Sequence, residues 1–140
     1  MPEIHAYRSL KKIVGRGVWY RLENPITPGL PDCLVIIRDR DDPLAVQYTW
    51  LEAKEIKFRK RLKVWVVDNF REEQLTEITR LGRVGARVFI LLHAPKRRWI
   101  VPATVGALTA LTMGVDDEWL KRNDVPWQKA LLPEPAGSFY

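Results

Sequence analysis

Two apolar runs of strand length limit the architectures open to this chain. Residues 33–37 are apolar without interruption, and residues 86–93 read as a second strand of buried type. A strand of this kind favours a sheet that is covered on both faces, so we expect helices on each side of it. The length of 140 residues fits one such α/β domain. We therefore expect a single domain over residues 1–140, with a core at about 3–101 and a C-terminal extension at about 102–140.

Apolar residues at helical spacing predict the flanking helices. Gly15 and Gly17 are expected to end the first helix, and Asp68 or Asn69 to act as the N-cap of the second. Prolines from Pro126 onward predict an irregular tail. The predicted helices cover residues 4–14, 70–81, 103–111 and 116–121.

A third strand, predicted over residues 45–54, carries the first candidate chemistry. Period-two geometry puts Glu52 and Lys54 on one face, about 6–7 Å apart. Asp32 opens the apolar run 33–37, so if the two strands are neighbours its carboxylate lies beside that of Glu52 and both can share a divalent cation. Lys54 can then position water or stabilise negative charge, and the Ala53 carbonyl is a further possible ligand. The alternative is a turn aspartate next to a solvated ion-pair face.

Composition excludes several classes of protein. Cys33 is the only cysteine, so an intramolecular disulfide framework and a cysteine-based zinc cluster are excluded, and we expect a buried, inert thiol. The first residues lack a basic segment followed by an apolar one, and no window approaches ~18 apolar residues. We therefore expect neither a signal peptide nor a membrane span, and a reducing, cytoplasmic setting.

A formal net charge of +6 favours a polyanionic partner. Two basic runs are the expected phosphate contacts, although charge runs are often only solvated surface. Trp65 and Trp99, near these runs, are the tryptophans that we consider for base stacking. The basic residues concerned are Lys57, Arg59, Lys60, Arg61, Lys63, Lys96, Arg97 and Arg98.

Taken in order, these motifs resemble the PD-(D/E)XK nuclease superfamily, and more narrowly its VRR-NUC and Holliday-junction-resolvase-like branch. The resemblance spans roughly residues 3–92. It comprises Gly29-Leu30-Pro31-Asp32, then Glu52-Ala53-Lys54, then Gln74 on a helix, then Gly85 before an apolar strand.

The resemblance implies a restriction-endonuclease-like fold, with a central mixed sheet flanked by helices, and an Mg²⁺-dependent or Mn²⁺-dependent endodeoxyribonuclease without a small-molecule cofactor. Asp32, Glu52 and the Ala53 carbonyl would bind the metal, Lys54 would be catalytic and Gln74 would face the site. Glu3 matches the acidic helix position of that branch, with helix capping as its alternative, and Gln74 has a solvent-facing helix position as its alternative.

By the same resemblance the substrate is branched DNA, such as a Holliday junction, in replication, recombination or repair in a bacterial or phage-infected cytoplasm. A four-way junction is two-fold symmetric, so its resolvase is expected to be a homodimer. A nuclease acting on flaps, ends or single strands fits the same residues. A non-catalytic nucleic-acid-binding scaffold of this fold is the alternative from another class.

Overall fold

The computed structural model of the chain describes residues 3–22 and 29–133, except for the side chains of Glu3 and Ile4. In chain order the described elements are α1 (Glu3–Val14), β1 (Val18–Arg21), β2 (Cys33–Arg38), β3 (Val46–Glu55), β4 (Lys57–Arg59), β5 (Val64–Val66), α2 (Glu72–Arg83), β6 (Arg87–Ala94), β7 (Arg97–Pro102), α3 (Val105–Met113), α4 (Asp117–Asn123) and α5 (Trp127–Leu131).

Five strands form one mixed sheet in the order β1-β2-β3-β6-β7. β3 and β6 are parallel, and every other neighbouring pair in this sheet is antiparallel. The parallel pair requires a crossover, and α2 lies within it. β4 and β5 form a separate two-stranded hairpin, which lies between β3 and α2 in the sequence.

Helices cover the two faces of the sheet, each over its own apolar core. On one face α1 and α5 pack with alternate residues of the strands, among them Val35 and Leu51. On the other face α2, α3 and α4 pack with the intervening strand residues, among them Ile90 and Val101. The described chain is therefore a mixed α/β structure with helices on both faces of its sheet, as the apolar runs predicted.

The prediction that β2 is covered on both faces is only half right. Cys33, Val35 and Ile37 are buried in the core beneath α1, whereas Leu34 and Ile36 on the opposite face are only half-buried. The helices on that second face are α2, α3 and α4. Their main contacts with strands join α2 to β6, α4 to β7 and α3 to β5, so β2 is not among the strands that they mainly cover.

Two predictions about helix ends need correction. The N-cap of α2 is Arg71, not Asp68 or Asn69, because the side-chain oxygen of Gln74 accepts the Arg71 N–H at 3.0 Å. The chain after Pro126 forms α5 instead of an irregular tail, since Ala130 and Leu131 are buried against the α1 core. The segment assigned to a C-terminal extension thus supplies buried residues to both cores.

The basic segment at residues 57–63 is a hairpin with an anchored base. In β5, Trp65 exchanges backbone hydrogen bonds with Val115, at 2.7 and 2.9 Å. Arg59 in β4 forms an ion pair with Asp68 at 2.6 Å. The exposed turn at residues 60–63 therefore projects from a fixed base.

No helix in the described part of the chain is long and apolar enough to cross a membrane.

Candidate functional site

The candidate site lies where β2 begins and β3 continues. The last pair in their antiparallel register is Cys33 with Leu51, so the next step brings Asp32 alongside Glu52. The Asp32 carbonyl accepts the Leu22 N–H at 2.8 Å, which holds this residue beside the end of β1. Asp32 and Glu52, the two acidic residues that the sequence singled out, are thus neighbours where β2 begins and β3 continues.

Tyr7, from α1, fills the gap that opens as β3 runs on beyond β2. Its hydroxyl donates a hydrogen bond to Asp32 Oδ1 and accepts the N–H of Ala53 at 2.7 Å. The carbonyl of Leu51 lies 3.2 Å from the same oxygen. Tyr7 therefore takes up backbone groups of β3 that a longer β2 would have paired, and ties them to Asp32.

The charges of both carboxylates, Asp32 and Glu52, act on the Tyr7 hydroxyl. Burial, then the charge and hydrogen bond of Asp32, and then the charge of Glu52 raise the pKa of Tyr7 far above its usual range. Tyr7 consequently stays protonated and keeps its donor for Asp32. On the other side Arg21 pairs with Asp32 at 3.6 Å and lies over the Tyr7 ring, 4.5 Å from its centroid.

Glu52 and Lys54 lie on the opposite face of β3 from the α1 core, and both are only 4% exposed. Lys54 Nζ donates to the carbonyl of Asn69 at 3.0 Å and lies 5.5 Å from the centre of the Phe70 ring. Asn69 and Phe70 lead into α2. The ammonium group is therefore held by the segment that also delivers Gln74.

Gln74 is buried at 4% exposure, which contradicts its alternative as a solvent-facing helix residue. Its side-chain oxygen is engaged by the Arg71 N–H, so it fixes the first turn of α2. That turn touches the loop before Asp32: a Cβ added to Gly29 would lie 2.1 Å from the Glu73 carbonyl oxygen. The Gly-x-Pro-Asp motif thus needs glycine because its backbone rests against α2.

The donor set around Tyr7 fits a divalent metal in kind. Carboxylates of Asp32 and Glu52 are hard oxygen ligands, and the alternation of β3 puts the Ala53 carbonyl on the same strand edge as its N–H, beside Tyr7. Among the described residues no three His, Cys, Asp or Glu side chains are grouped to hold a metal. The side chain of Glu3, named as a further ligand, lies outside the described residues. A cation bound by these groups would need water to complete its coordination.

The residues named for DNA contact are divided between two turns. The first group lies on the β4–β5 hairpin, where Arg59 is committed to Asp68 and Lys57 pairs with Glu55 at 3.9 Å. The second lies at the β6–β7 turn, where Arg98 donates to Ser9 Oγ at 2.7 Å. The remaining basic residues of the set are the exposed Lys60, Arg61, Lys63 and Lys96, together with Arg97.

The tryptophans named for stacking lie inside an aromatic cluster. Trp99 is buried, and Trp65 packs edge-on against it with ring centroids 5.6 Å apart. Arg97 covers both rings, 5.2 Å from the centre of Trp65 and 4.7 Å from that of Trp99. Stacking of bases on Trp99 is therefore a wrong prediction, because its ring belongs to the core.

Two residues of this site escaped the sequence analysis. Tyr7 is one of the apolar residues at helical spacing that predict the first helix, and no feature of the sequence singles out Arg21. A tyrosine in an otherwise aliphatic stripe is the one available sign, because a buried hydroxyl needs a partner. Arg21 had no such sign, since its pairing with Asp32 depends on the β1–β2 register.

Replacing Tyr7 with phenylalanine is expected to lower the free energy of unfolding by about 2–3 kcal/mol, because the Ala53 N–H and Asp32 lose their shared partner in a buried place. Urea unfolding measures the change. Tyr48→Phe, which removes an exposed hydroxyl, is the matched control and should stay within about 0.5 kcal/mol of the parent. Equal stabilities for the two variants would contradict the role given to Tyr7.

Cys33 supplies a pH test of the packing beneath α1. Burial, with the charge of Asp32 adding to it, raises the pKa of the thiol to about 12. The unfolded chain therefore releases this proton at lower pH than the folded one, so the thiol stabilises the fold fully below pH ~9 and loses that contribution as pH rises toward 12. Between about pH 8 and pH 10.5, the stability of the parent should fall by about 2 kcal/mol relative to Cys33→Ala. Parallel pH profiles would show that the thiol titrates normally.

Neither the models of known protein families nor the sequences of curated proteins match this chain.

Proposed function

We propose that this chain is a metal-dependent endodeoxyribonuclease of restriction-endonuclease-like fold that hydrolyses phosphodiester bonds at Asp32, Glu52 and Lys54. The observation that carries the proposal is the junction of β2 and β3, where Asp32 and Glu52 are adjacent and both act on the Tyr7 hydroxyl. The order α1-β1-β2-β3-α2-β6, with the β4–β5 hairpin inserted before α2 and with β2 antiparallel and β6 parallel to β3, supports the fold assignment.

Each residue has a distinct task in this proposal. Asp32, Glu52 and the Ala53 carbonyl would hold Mg²⁺ or Mn²⁺, and Tyr7 orients the Asp32 carboxylate through its hydrogen bond. A cation bound there polarises the phosphoryl oxygens and lowers the pKa of a water that it binds. Lys54, tethered to the Asn69 carbonyl, holds the attacking water or the developing negative charge on the phosphate.

The burial of Glu52 and Lys54 favours a role in a site over a role as solvated surface charges. Charged residues are rarely buried unless they have a specific partner, and Glu52 and Lys54 are both almost fully withdrawn from solvent. Asp32 already pairs with Arg21 at 3.6 Å, and a divalent cation would neutralise Asp32 and Glu52 together. The ordinary alternative, an exposed ion-pair face on β3, does not fit this burial.

The anchored β4–β5 hairpin is proposed as the first phosphate-binding surface. β4 follows Lys54 within a few residues, and the exposed cations Lys60, Arg61 and Lys63 lie at the hairpin turn. Such contacts supply affinity without reading sequence, which suits an enzyme selected for DNA shape.

A variant with Lys60, Arg61 and Lys63 changed to Ala is expected to reduce the slope of log K against log salt for duplex DNA by about 2, since each lost phosphate contact removes up to about 0.9. Arg59 is retained because it pairs with Asp68. The control removes three charges from exposed positions on α4 and α5, through Lys121→Ala, Arg122→Ala and Lys129→Ala. Equal slopes for the two triple variants would exclude the hairpin from the DNA surface.

Branched DNA and a homodimer belong to the proposal through the family resemblance. A two-fold junction needs two paired incisions, which two sites in a symmetric dimer supply. The same site would serve a nuclease of flaps, ends or single strands. A non-catalytic scaffold is disfavoured by the buried Glu52 and Lys54, which a mere binding surface does not require.

The test is a cleavage assay on labelled duplex, flap, single-stranded and four-way junction DNA, with Mg²⁺ or with EDTA. Asp32→Ala and Lys54→Ala run beside the parent protein. Cleavage that needs Mg²⁺ and disappears in both variants is the expected result, and the preferred substrate assigns the class. Cleavage that persists in EDTA or in both variants would overturn the mechanism.

A further inference from the structure

An apolar, aromatic patch occupies the sheet face on which Glu52 and Lys54 lie, at the β1–β2 side. The register aligns Tyr20, Leu34 and Trp50 across three strands, and it aligns Val18, Ile36 and Tyr48 in the next row. Val18, Tyr20 and Tyr48 are 50%, 51% and 57% exposed. We call these six residues the aromatic platform.

The platform is continuous with the proposed catalytic residues. Trp50, Glu52 and Lys54 succeed one another on one face of β3, so the distance from the Trp50 position to the Glu52 position is about 6–7 Å. Beyond Tyr48 the same face ends at Arg38, an exposed residue of β2 paired with Val46. A track of aromatic rings therefore runs from the site to a cation at its far end.

The spacing of the rings indicates which form of DNA can stack on them. Tyr48 and Trp50 are about 6–7 Å apart along β3, and Tyr20 and Trp50 are two strands or about 10 Å apart. Stacked bases in a duplex are only about 3.4 Å apart, so successive paired bases cannot each stack on one of these rings. Unstacked bases of a single strand can, and aromatic side chains on an exposed sheet face are a known way to bind them.

We infer that the aromatic platform binds the unpaired bases of single-stranded DNA next to the scissile phosphate, by stacking on the exposed rings of Tyr20 and Tyr48 beside the half-buried Trp50. This inference rests on the proposed function and narrows it to substrates with an unpaired segment, such as a flap, a splayed end or an opened junction. Stacking needs rings and not hydroxyl groups, so phenylalanine replaces tyrosine on the platform without loss.

Fluorescence anisotropy of a labelled oligothymidylate of about 15 nucleotides, in EDTA, tests the inference without cleavage. The Tyr20→Ala/Tyr48→Ala variant should bind at least about thirty-fold more weakly than the parent, whereas Tyr20→Phe/Tyr48→Phe should bind within about three-fold. Met113→Ala removes an exposed apolar side chain from the end of α3 and should have no effect. Affinity for a blunt duplex should be the same in all four proteins.

Two outcomes overturn the inference. One is equal oligothymidylate affinity in the parent and the double alanine variant. The other is a loss of oligothymidylate affinity that accompanies the dissociation of a parent dimer into monomers, seen by sedimentation of the double alanine variant, because the platform would then be a contact between two copies. Platform-dependent binding in a protein that never cleaves DNA would overturn the proposed function alone.

Discussion

Replacing Glu52 with glutamine is expected to lower the rate of Mg²⁺-dependent cleavage at least ~10³-fold, about 4 kcal/mol of transition-state stabilisation. The amide keeps the size of the side chain but loses the charge that would hold the proposed metal. Asp32→Asn should act similarly, because its carboxylate lies beside that of Glu52 at the same strand end. Single-turnover cleavage of the preferred DNA measures the rate directly.

Glu55→Gln is the matched control for this loss. Glu55 lies on the same strand, three residues after Glu52, and it forms an ion pair with Lys57 at 3.9 Å. This control should retain the parent rate within a few-fold. Circular dichroism should show that Glu52→Gln is folded, so that its cleavage rate reports on the site and not on unfolding. A Glu52→Gln protein that is folded and still cleaves at the parent rate would refute a catalytic role for Glu52.

Replacing Gly29 with alanine is expected to lower the free energy of unfolding by about 4 kcal/mol. Its φ of +89° already disfavours an L side chain, and the new Cβ would lie 2.1 Å from the Glu73 carbonyl oxygen. Backbone on both sides of this contact must move, and the loop that moves carries Asp32. Urea unfolding should therefore show the loss of stability, and any folded fraction should cleave poorly.

Gly85→Ala separates the clash from the backbone preference. Gly85 has a similar φ of +81°, but its added Cβ would meet nothing within 4 Å. Only the backbone penalty applies, so this variant should lose about 1–2 kcal/mol and keep its activity. If Gly29→Ala cost no more than Gly85→Ala, the loop before Asp32 would not rest against α2 as described.

Sequence patterns predict the parts of this molecule that depend on local periodicity. The apolar run of β2 and the alternation of β3 predict Asp32 beside Glu52 if the two strands are neighbours, and in the structure β2 and β3 are paired in the register that puts these residues side by side. The stripe of α1 likewise predicted a helix on the sheet. These features need only the periods of two and 3.6 residues that each element imposes on its own residues.

Long-range packing explains what the patterns missed. Tyr7 lies 46 residues before Ala53, and nothing near it in sequence tells that its hydroxyl meets the edge of β3. Arg71 is the N-cap of α2 although Asp68 and Asn69 are better N-cap types, and Asp68 pairs instead with Arg59 while the Asn69 carbonyl accepts from Lys54. The exposure of the aromatic platform is decided by which strands the helices cover, and only the folded chain contains that information.

Titration of Mn²⁺ into the parent protein and into Asp32→Asn/Glu52→Gln, followed by the electron paramagnetic resonance signal of free Mn²⁺, tests the central claim most directly. If the two carboxylates form the metal site, the parent binds Mn²⁺ and Mg²⁺ competes with it, while the double variant, still folded, leaves the added Mn²⁺ free. Equal binding by the two proteins would contradict a metal centre at Asp32 and Glu52, as would a parent that cleaves DNA without binding Mn²⁺ there.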